Sequence, residues 1–414
     1  MTRAARTRPP RSGDPYGVGP IGTILAPVLS LGGLLLVGVI TLNLLNGQVP
    51  FAGGGPTGNN GNDCGPARTP APSNIVVVPE EATMEGSIVY AKGGNIWVQT
   101  NDAATQLTSS GGDSMPSWSA DGEWILYIRT KSQRGYWPVH GHNGWYDLDV
   151  PDLMRVKADG SAEPERLATG LVKKGSKLRW SAFMRQPVLS PDGKTIALVT
   201  DLPDPTDSNV VLQFFDVGTK KLRRAGVRES GVLGHQDPAW RPDGRLLLYT
   251  QNGRDGARGV PVIMRYDTRD KKARPLTAAG YMQPSYSPDG RYVAATRTTA
   301  LGTDVVILDA GSGVQLLRVT DDGASFAPTW SPAGDGIAFL HIVGQTVDLR
   351  LARLDGAAPA WSVKDTIDLT EVSGLDASSR PDWYIPSELL PAATPPPSVG
   401  PAASSSPASS SPAP

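Results

Sequence analysis

Apolar and polar residues alternate with a period of two in short runs across the middle of the chain, as in the stretches holding Ile196 and Leu198 or Tyr292 and Ala294. That period places successive side chains on opposite faces of a strand. The runs recur with a fixed prelude. PSWSADGEWILY begins at Pro116, PVLSPDGKTIAL at Pro187, PAWRPDGRLLLY at Pro238, PSYSPDGRYVAA at Pro284 and PTWSPAGDGIAF at Pro328, and PDWYI from Pro381 is a truncated sixth copy. The prolines are spaced by 71, 51, 46, 44 and 53 residues, near the period of about 40–50 of four-stranded propeller blades.

The motif has physical content. Proline presets φ and glycine tolerates positive φ, so Ser-Pro-Asp-Gly suits a tight turn between antiparallel strands, with the aspartate bonding its own backbone. The aromatic two residues after the first proline (Trp118, Trp240, Tyr286, Trp330, Trp383; Leu189 in the second copy) is a large anchor between neighbouring sheets. Further strands end at Asp216, Asp267, Asp309 and Asp355, and others at the pairs Leu107–Thr108, Leu276–Thr277, Val319–Thr320 and Leu369–Thr370. Residues 88–108 form the later part of a unit without its opening, and PDWYI is an opening without its later part. Together they make one composite blade, so the pattern predicts an all-β, six-bladed propeller over residues 86–386 with no open edge. Asn74–Pro79 is an extra outer strand or part of the preceding segment.

Residues 21–45 carry no charge in 25 positions, enough for a transmembrane helix across about 30 Å of hydrocarbon. The preceding tail, 1–20, holds Arg3, Arg6, Arg8 and Arg11 against Asp14. It is expected to stay cytoplasmic, with everything after the helix outside, as a single-pass protein of the cell membrane. Residues 46–85 read as a Gly/Pro-rich stalk, and 387–414 as a disordered tail, since 21 of the last 24 residues are Pro, Ala or Ser.

Composition narrows the chemistry. The 414 residues hold 47 glycines and 38 prolines, concentrated in stalk, tail and turns. Removing four arginines and one aspartate from 39 basic and 40 acidic residues leaves 35 and 39, a net of −4 outside the membrane. That excludes a basic field for nucleic acid or anionic lipid. The single cysteine, Cys64, excludes an intramolecular disulfide and a multi-cysteine zinc site.

On these repeats, residues 86–386 resemble the TolB-like family of propeller repeats (WD-like, of the Pro-Asp type), whose signature is Pro-x-Trp-Ser-Pro-Asp-Gly. Ala333 stands where that signature has Asp, and Ala120 where it has Pro. The resemblance implies a propeller, but repeats of this kind occur in scaffolds, peptidases and lyases alike. If the family geometry holds, the residues before each motif proline lie at the channel rim. They give Asp113, Arg185, Gln186, Gln236, Asp237, Gln283, Phe326 and Arg380 as a candidate binding rim. A second candidate is the loop of the long first unit, GYWPVHGHNGWYDLD, with Tyr136, Trp137, His140, His142, Trp145 and Tyr146. Two histidines fall short of the three or four ligands of a zinc site, so neither metal nor cofactor is expected. There is no G-x-S-x-G elbow, P-loop or H-E-x-x-H. The reading is a non-catalytic binding or scaffold module for an envelope protein, peptide or glycan. Its alternative is a propeller lyase or hydrolase acting on an envelope carbohydrate or ester, with a site assembled across blades.

Overall fold

The alternating runs form strands because β-branched and aliphatic residues dominate them and the motif turns, Ser-x-Asp-Gly in three of five copies, open them. In the computed structural model the described residues are 84–390, without 102, 140–141, 204, 206–209, 228–233 and 254–259, together with the backbone of Val76–Val77. The expected membrane segment, most of the stalk and the tail beyond 390 lie outside the described residues. No helix among the described residues is long and apolar enough to cross a membrane.

The chain forms β1 (Val76–Val77), β2 (Ser87–Lys92), β3 (Asn95–Gln99) and β4 (Ala103–Gln106), then β5 (Asp113–Trp118), β6 (Trp124–Val139), β7 (His142–Lys157) and β8 (Glu165–Thr169) of blade 1. The hairpin β9 (Leu171–Lys174) and β10 (Leu178–Ser181) follows. Blade 2 comprises β11 (Met184–Leu189), β12 (Thr195–Thr200), β13 (Val211–Asp216) and β14 (Lys221–Arg224), and blade 3 β15 (His235–Trp240), β16 (Leu246–Gln251), β17 (Val262–Asp267) and β18 (Lys272–Pro275). Blade 4 is β19 (Tyr281–Tyr286), β20 (Tyr292–Thr299), β21 (Gly302–Asp309) and β22 (Gln315–Arg318); blade 5 is β23 (Ser325–Trp330), β24 (Gly336–Val343), β25 (Thr346–Asp355) and β26 (Ser362–Asp368). The last strand, β27 (Asp382–Tyr384), pairs with β2 and closes blade 6 in the order β1-β4-β3-β2-β27. The composite blade of the sequence reading is therefore present. Val76–Val77 pairs with β4 as an outer strand.

Cores form between blades rather than within them. Trp118 of blade 1 lies 5.3 Å from Tyr384 of blade 6, and Trp240 of blade 3 lies 5.8 Å from Phe214 of blade 2. Tyr286, Trp330 and Trp383 each enter a cluster shared with the preceding blade. A flat sheet hides one face from water only when another sheet covers it, and burying each such side chain contributes about 1.5–3 kcal/mol. The turns behave as their residues dictate. The Ser190 hydroxyl donates to Asp192 Oδ1 at 2.6 Å, the Lys194 amide donates to the same oxygen at 3.1 Å, and Gly193 sits at φ 71°. In blade 5, where Ala333 replaces the aspartate, Ser331 donates to Asp335 at 2.7 Å instead.

The Leu-Thr and Val-Thr pairs also have a structural role. The hydroxyls of Thr108, Thr277, Thr320 and Thr370 accept the amides of Ile96, Ile263, Val305 and Leu349 at 2.9–3.1 Å, satisfying N–H groups of buried residues in the third strand of each blade. Blade 2 lacks such a threonine. There the Leu212 amide donates to Nδ1 of His235, which enters from blade 3, at 3.0 Å.

Candidate functional site

Five motif prolines follow a residue in the left-handed region: Met115, Gln186, Asp237, Gln283 and Ala327, at φ 51–55°. Each coincides with a register shift in its innermost strand. Proline disfavours the right-handed helical conformation at the residue before it, and a bulge absorbs the extra residue. The bulge turns one amide out of the ladder, and the neighbouring blade supplies its acceptor. Met115 N donates to Ser379 Oγ at 2.8 Å, Gln186 N to Met115 Sδ at 3.4 Å and Asp237 N to Gln186 Oε1 at 2.9 Å. Gln283 N donates to Thr250 Oγ1 at 3.0 Å, and Ala327 N to both Gln283 Oε1 and Thr296 Oγ1 at 3.0 Å. The rim positions differ in sequence because a hydroxyl, thioether or amide oxygen each meets the same need.

Charged rim residues of blades 2, 3 and 6 approach one another in the channel. Asp237 accepts from Gln186 Nε2 at 2.6 Å and Thr250 Oγ1 at 3.1 Å. Burial raises its pKa, opposed by Arg380, Thr250, Arg185 and Gln186. Burial likewise raises the pKa of Asp382, whose carboxylate accepts the Trp118 amide at 2.8 Å and lies near Arg380. Arg185 stands between Asp237 and Asp201, its pKa lowered by burial, and its Nε has no hydrogen-bond partner among the described residues. The space bounded by Met115, Gln186, Asp237, Arg380 and Asp382 is a cavity of about 20 Å³, room for about one water molecule. Of the remaining rim residues, Asp113 is buried in a two-pronged ion pair with Arg129 at 2.7 and 2.8 Å. Phe326 is core, and Gln236 is half-buried. A larger cleft of about 490 Å³ lies away from the rim, between blades 5 and 6, bounded by Met84, Ser331, Asp335, Leu351, Trp383 and Ile385.

The long first unit is a hairpin. β6 and β7 stay paired from Trp124↔Lys157 to Val139↔His142, whereas β5 accompanies β6 only as far as Arg129. Lys131–Val139, at about 3.3 Å per residue, therefore projects about 30 Å beyond the blade. β10 pairs with the projecting part at Arg179↔Tyr136, and β9 with β10. This hairpin sorts the aromatic residues onto two faces. Trp137, only 5% exposed, and Tyr146 pack against Trp180, with ring centroids 6.4 and 5.4 Å from it. On the opposite face Trp145 is 63% exposed, with Tyr136 at 5.1 Å and the Arg134 guanidinium 5.8 Å from its ring. His140 lies outside the described residues, and of His142 only the backbone is described.

One cluster has the composition of a hydrolase triad without its geometry. Ser325 Oγ lies 3.0 Å from His341 Nδ1, and Asp322 Oδ2 approaches the same nitrogen at 3.3 Å. A catalytic imidazole must hold the serine on one nitrogen and the acid on the other. Here both share one, and Ser325 is fully buried.

Fold and rim together define a six-bladed β-propeller in which left-handed bulges at five copies of a degenerate Pro-x-aromatic-Ser-Pro-Asp-Gly motif tie neighbouring blades round the channel. The propeller is TolB-like. A Tol-Pal system protein TolB of Francisella tularensis is 27% identical over 231 residues, covering 54% of this chain and 44% of that protein. Another Tol-Pal system protein TolB, from Anaeromyxobacter dehalogenans, is 37% identical over 126 residues, covering 29% of this chain and 26% of that protein. The chain thus matches less than half the length of these curated relatives. The crystal structure of TolB from Acinetobacter baumannii shares the fold, with a TM-score of 0.52 and 20% identity over 72% of this chain and 66% of that one. No family model matches the chain.

Proposed function

We infer that this chain is a membrane-anchored, non-catalytic binding module that displays its propeller outside the cytoplasm to an envelope partner. The observation that carries the reading is the contrast between its two candidate surfaces. Gln186 and Asp237 of the rim are engaged with one another beside a cavity of about 20 Å³, too small for a substrate, whereas Trp145 and the charges beside it stand open on a projecting hairpin. An exposed tryptophan on a rigid strand offers a large contact area at little conformational cost. The similarity to Tol-Pal system proteins supports an envelope setting, and the uncharged segment 21–45 behind an arginine-rich tail supports the anchor.

The test uses the full chain in intact cells. External protease should remove the propeller and spare the N-terminal tail; protection of the propeller overturns the topology. Cross-linking should recover a defined partner with the wild-type chain and much less with Trp145→Ala; equal recovery removes the hairpin as the contact.

A further inference from the structure

The pairing registers place four side chains in one transverse row on the open face of the hairpin. Lys173 of β9 lies opposite Arg179 of β10, Arg179 opposite Tyr136 of β6, and Tyr136 opposite Trp145 of β7. Directly paired residues share a face, and neighbouring strands are about 4.8 Å apart. The row therefore reads cation, cation, aromatic, aromatic over roughly 14 Å. In the next row Asp147 of β7 stands opposite Arg134 of β6. Lys173, Arg179 and Asp147 are exposed. None of the three makes an ion pair or side-chain hydrogen bond with a described residue. Lysine on an edge strand guards against sheet-to-sheet association, which accounts for Lys173 on β9. It does not account for Arg179 on the inner strand β10, nor for an open Trp145 beside it.

We propose that this face is a subsite for an anionic saccharide. A sugar ring lies on Trp145 and Tyr136, its carboxylate or phosphate substituent meets Arg179 and Lys173, and its hydroxyls donate to Asp147. Each part of the row has its complement in such a ligand. The electron-rich faces of indole and phenol attract polarised C–H groups. The guanidinium fork matches a carboxylate or phosphate in two-pronged fashion. A free aspartate is an acceptor with nothing to donate, which suits a ligand rich in O–H donors.

The fold disfavours an anionic bilayer as the ligand. The chain joins the ring at Ser87, paired with Tyr384, whose hydroxyl donates to Asp121 O in the blade-1 turn. β6 runs away from that turn toward the hairpin tip, so the ends of the ring and the aromatic row are on opposite sides.

The proposal rests on the binding-module reading and names its ligand class. The test titrates the detergent-solubilised full-length chain with a hexuronate trisaccharide, a phosphorylated hexose trisaccharide, a neutral hexose trisaccharide, polyglutamate and the soluble lipid headgroup glycerol phosphate, followed by calorimetry. At least one charged saccharide should bind at least tenfold more tightly than the neutral one. Trp145→Ala and Arg179→Ala should each weaken it at least tenfold, and Trp145→Phe should stay within threefold of wild type. The preferred saccharide identifies the substituent as carboxylate or phosphate. The proposal is overturned if neither charged saccharide binds, if polyglutamate or glycerol phosphate binds as well as the saccharides, or if both alanine variants bind like wild type. If the saccharides fail while cross-linking to an envelope protein still depends on Trp145, the ligand class falls and the binding module stands. If both fail, the hairpin falls as the contact surface as well.

Discussion

The guanidinium of Arg380 donates to the carbonyl oxygen of Pro284 at 2.6 Å and to that of Pro238 at 3.3 Å. A side chain from blade 6 thus reaches blades 4 and 3 across the channel, while its charge lies near Asp237 and Asp382. The ring is therefore held by a spoke as well as by its perimeter.

Removing that spoke in Arg380→Ala leaves two carbonyls without their donor and two buried carboxylates without a nearby cation. The cost should be about 2–3 kcal/mol, read as a lower urea midpoint. Arg380→Lys, which keeps the charge but loses the planar fork, should fall between. An unchanged midpoint for the alanine variant would show that the spoke contributes nothing.

Asp201 gives the ring a pH signature. Burial pushes its carboxyl up to about 6, against partial compensation from the Phe183 amide, which donates to it at 2.8 Å, and from Arg185. A carboxyl that holds its proton more tightly folded than unfolded favours the folded state in acid. Its contribution declines as pH rises from about 4 to about 6. Asp237 and Asp382, also raised, bias the same way. Asp201→Asn should flatten that part of the stability profile relative to wild type, since its amide oxygen still accepts from Phe183. Parallel profiles between pH 4 and 6 would contradict the assignment.

His235 substitutes for the threonine that caps the third strand in other blades. His235→Ala strands the Leu212 amide and removes a ring lying 4.7 Å from Tyr249. A loss of about 2 kcal/mol in chemical unfolding is expected, with faster hydrogen exchange at Leu212. Exchange at Leu212 equal to wild type would rule out the cap.

The two hairpin tryptophans should separate cleanly. Trp137→Ala removes a buried ring from the small aromatic core with Trp180 and should destabilise the hairpin by about 3 kcal/mol or more. Trp145→Ala should alter stability by less than about 0.5 kcal/mol. Limited proteolysis of the hairpin in the two variants reads the difference directly, and equal sensitivity would contradict the assignment of faces.

What the sequence determined by itself was local and periodic. Ser-x-Asp-Gly turns, strand alternation and the anchors Trp118, Trp240, Tyr286, Trp330 and Trp383 are each written within about a dozen residues, and their spacing sets six blades. Even the ring closure was legible, because the composite blade's two parts are complementary fragments of one pattern. Only the tertiary structure decided which rim residues meet. Met115 and Ser379 are 264 positions apart, and their contact follows from ring closure, not from either neighbourhood. Tyr136 and Trp137 show the same limit at the shortest range. Alternation assigns them to opposite faces, but which face is covered depends on where β10 lands. The KKGSKLRW stretch at 173–180 was the available signal, with strand-forming residues around a glycine turn and lysines suited to an edge. A sequence states that a strand has two sides; packing decides which of them meets water.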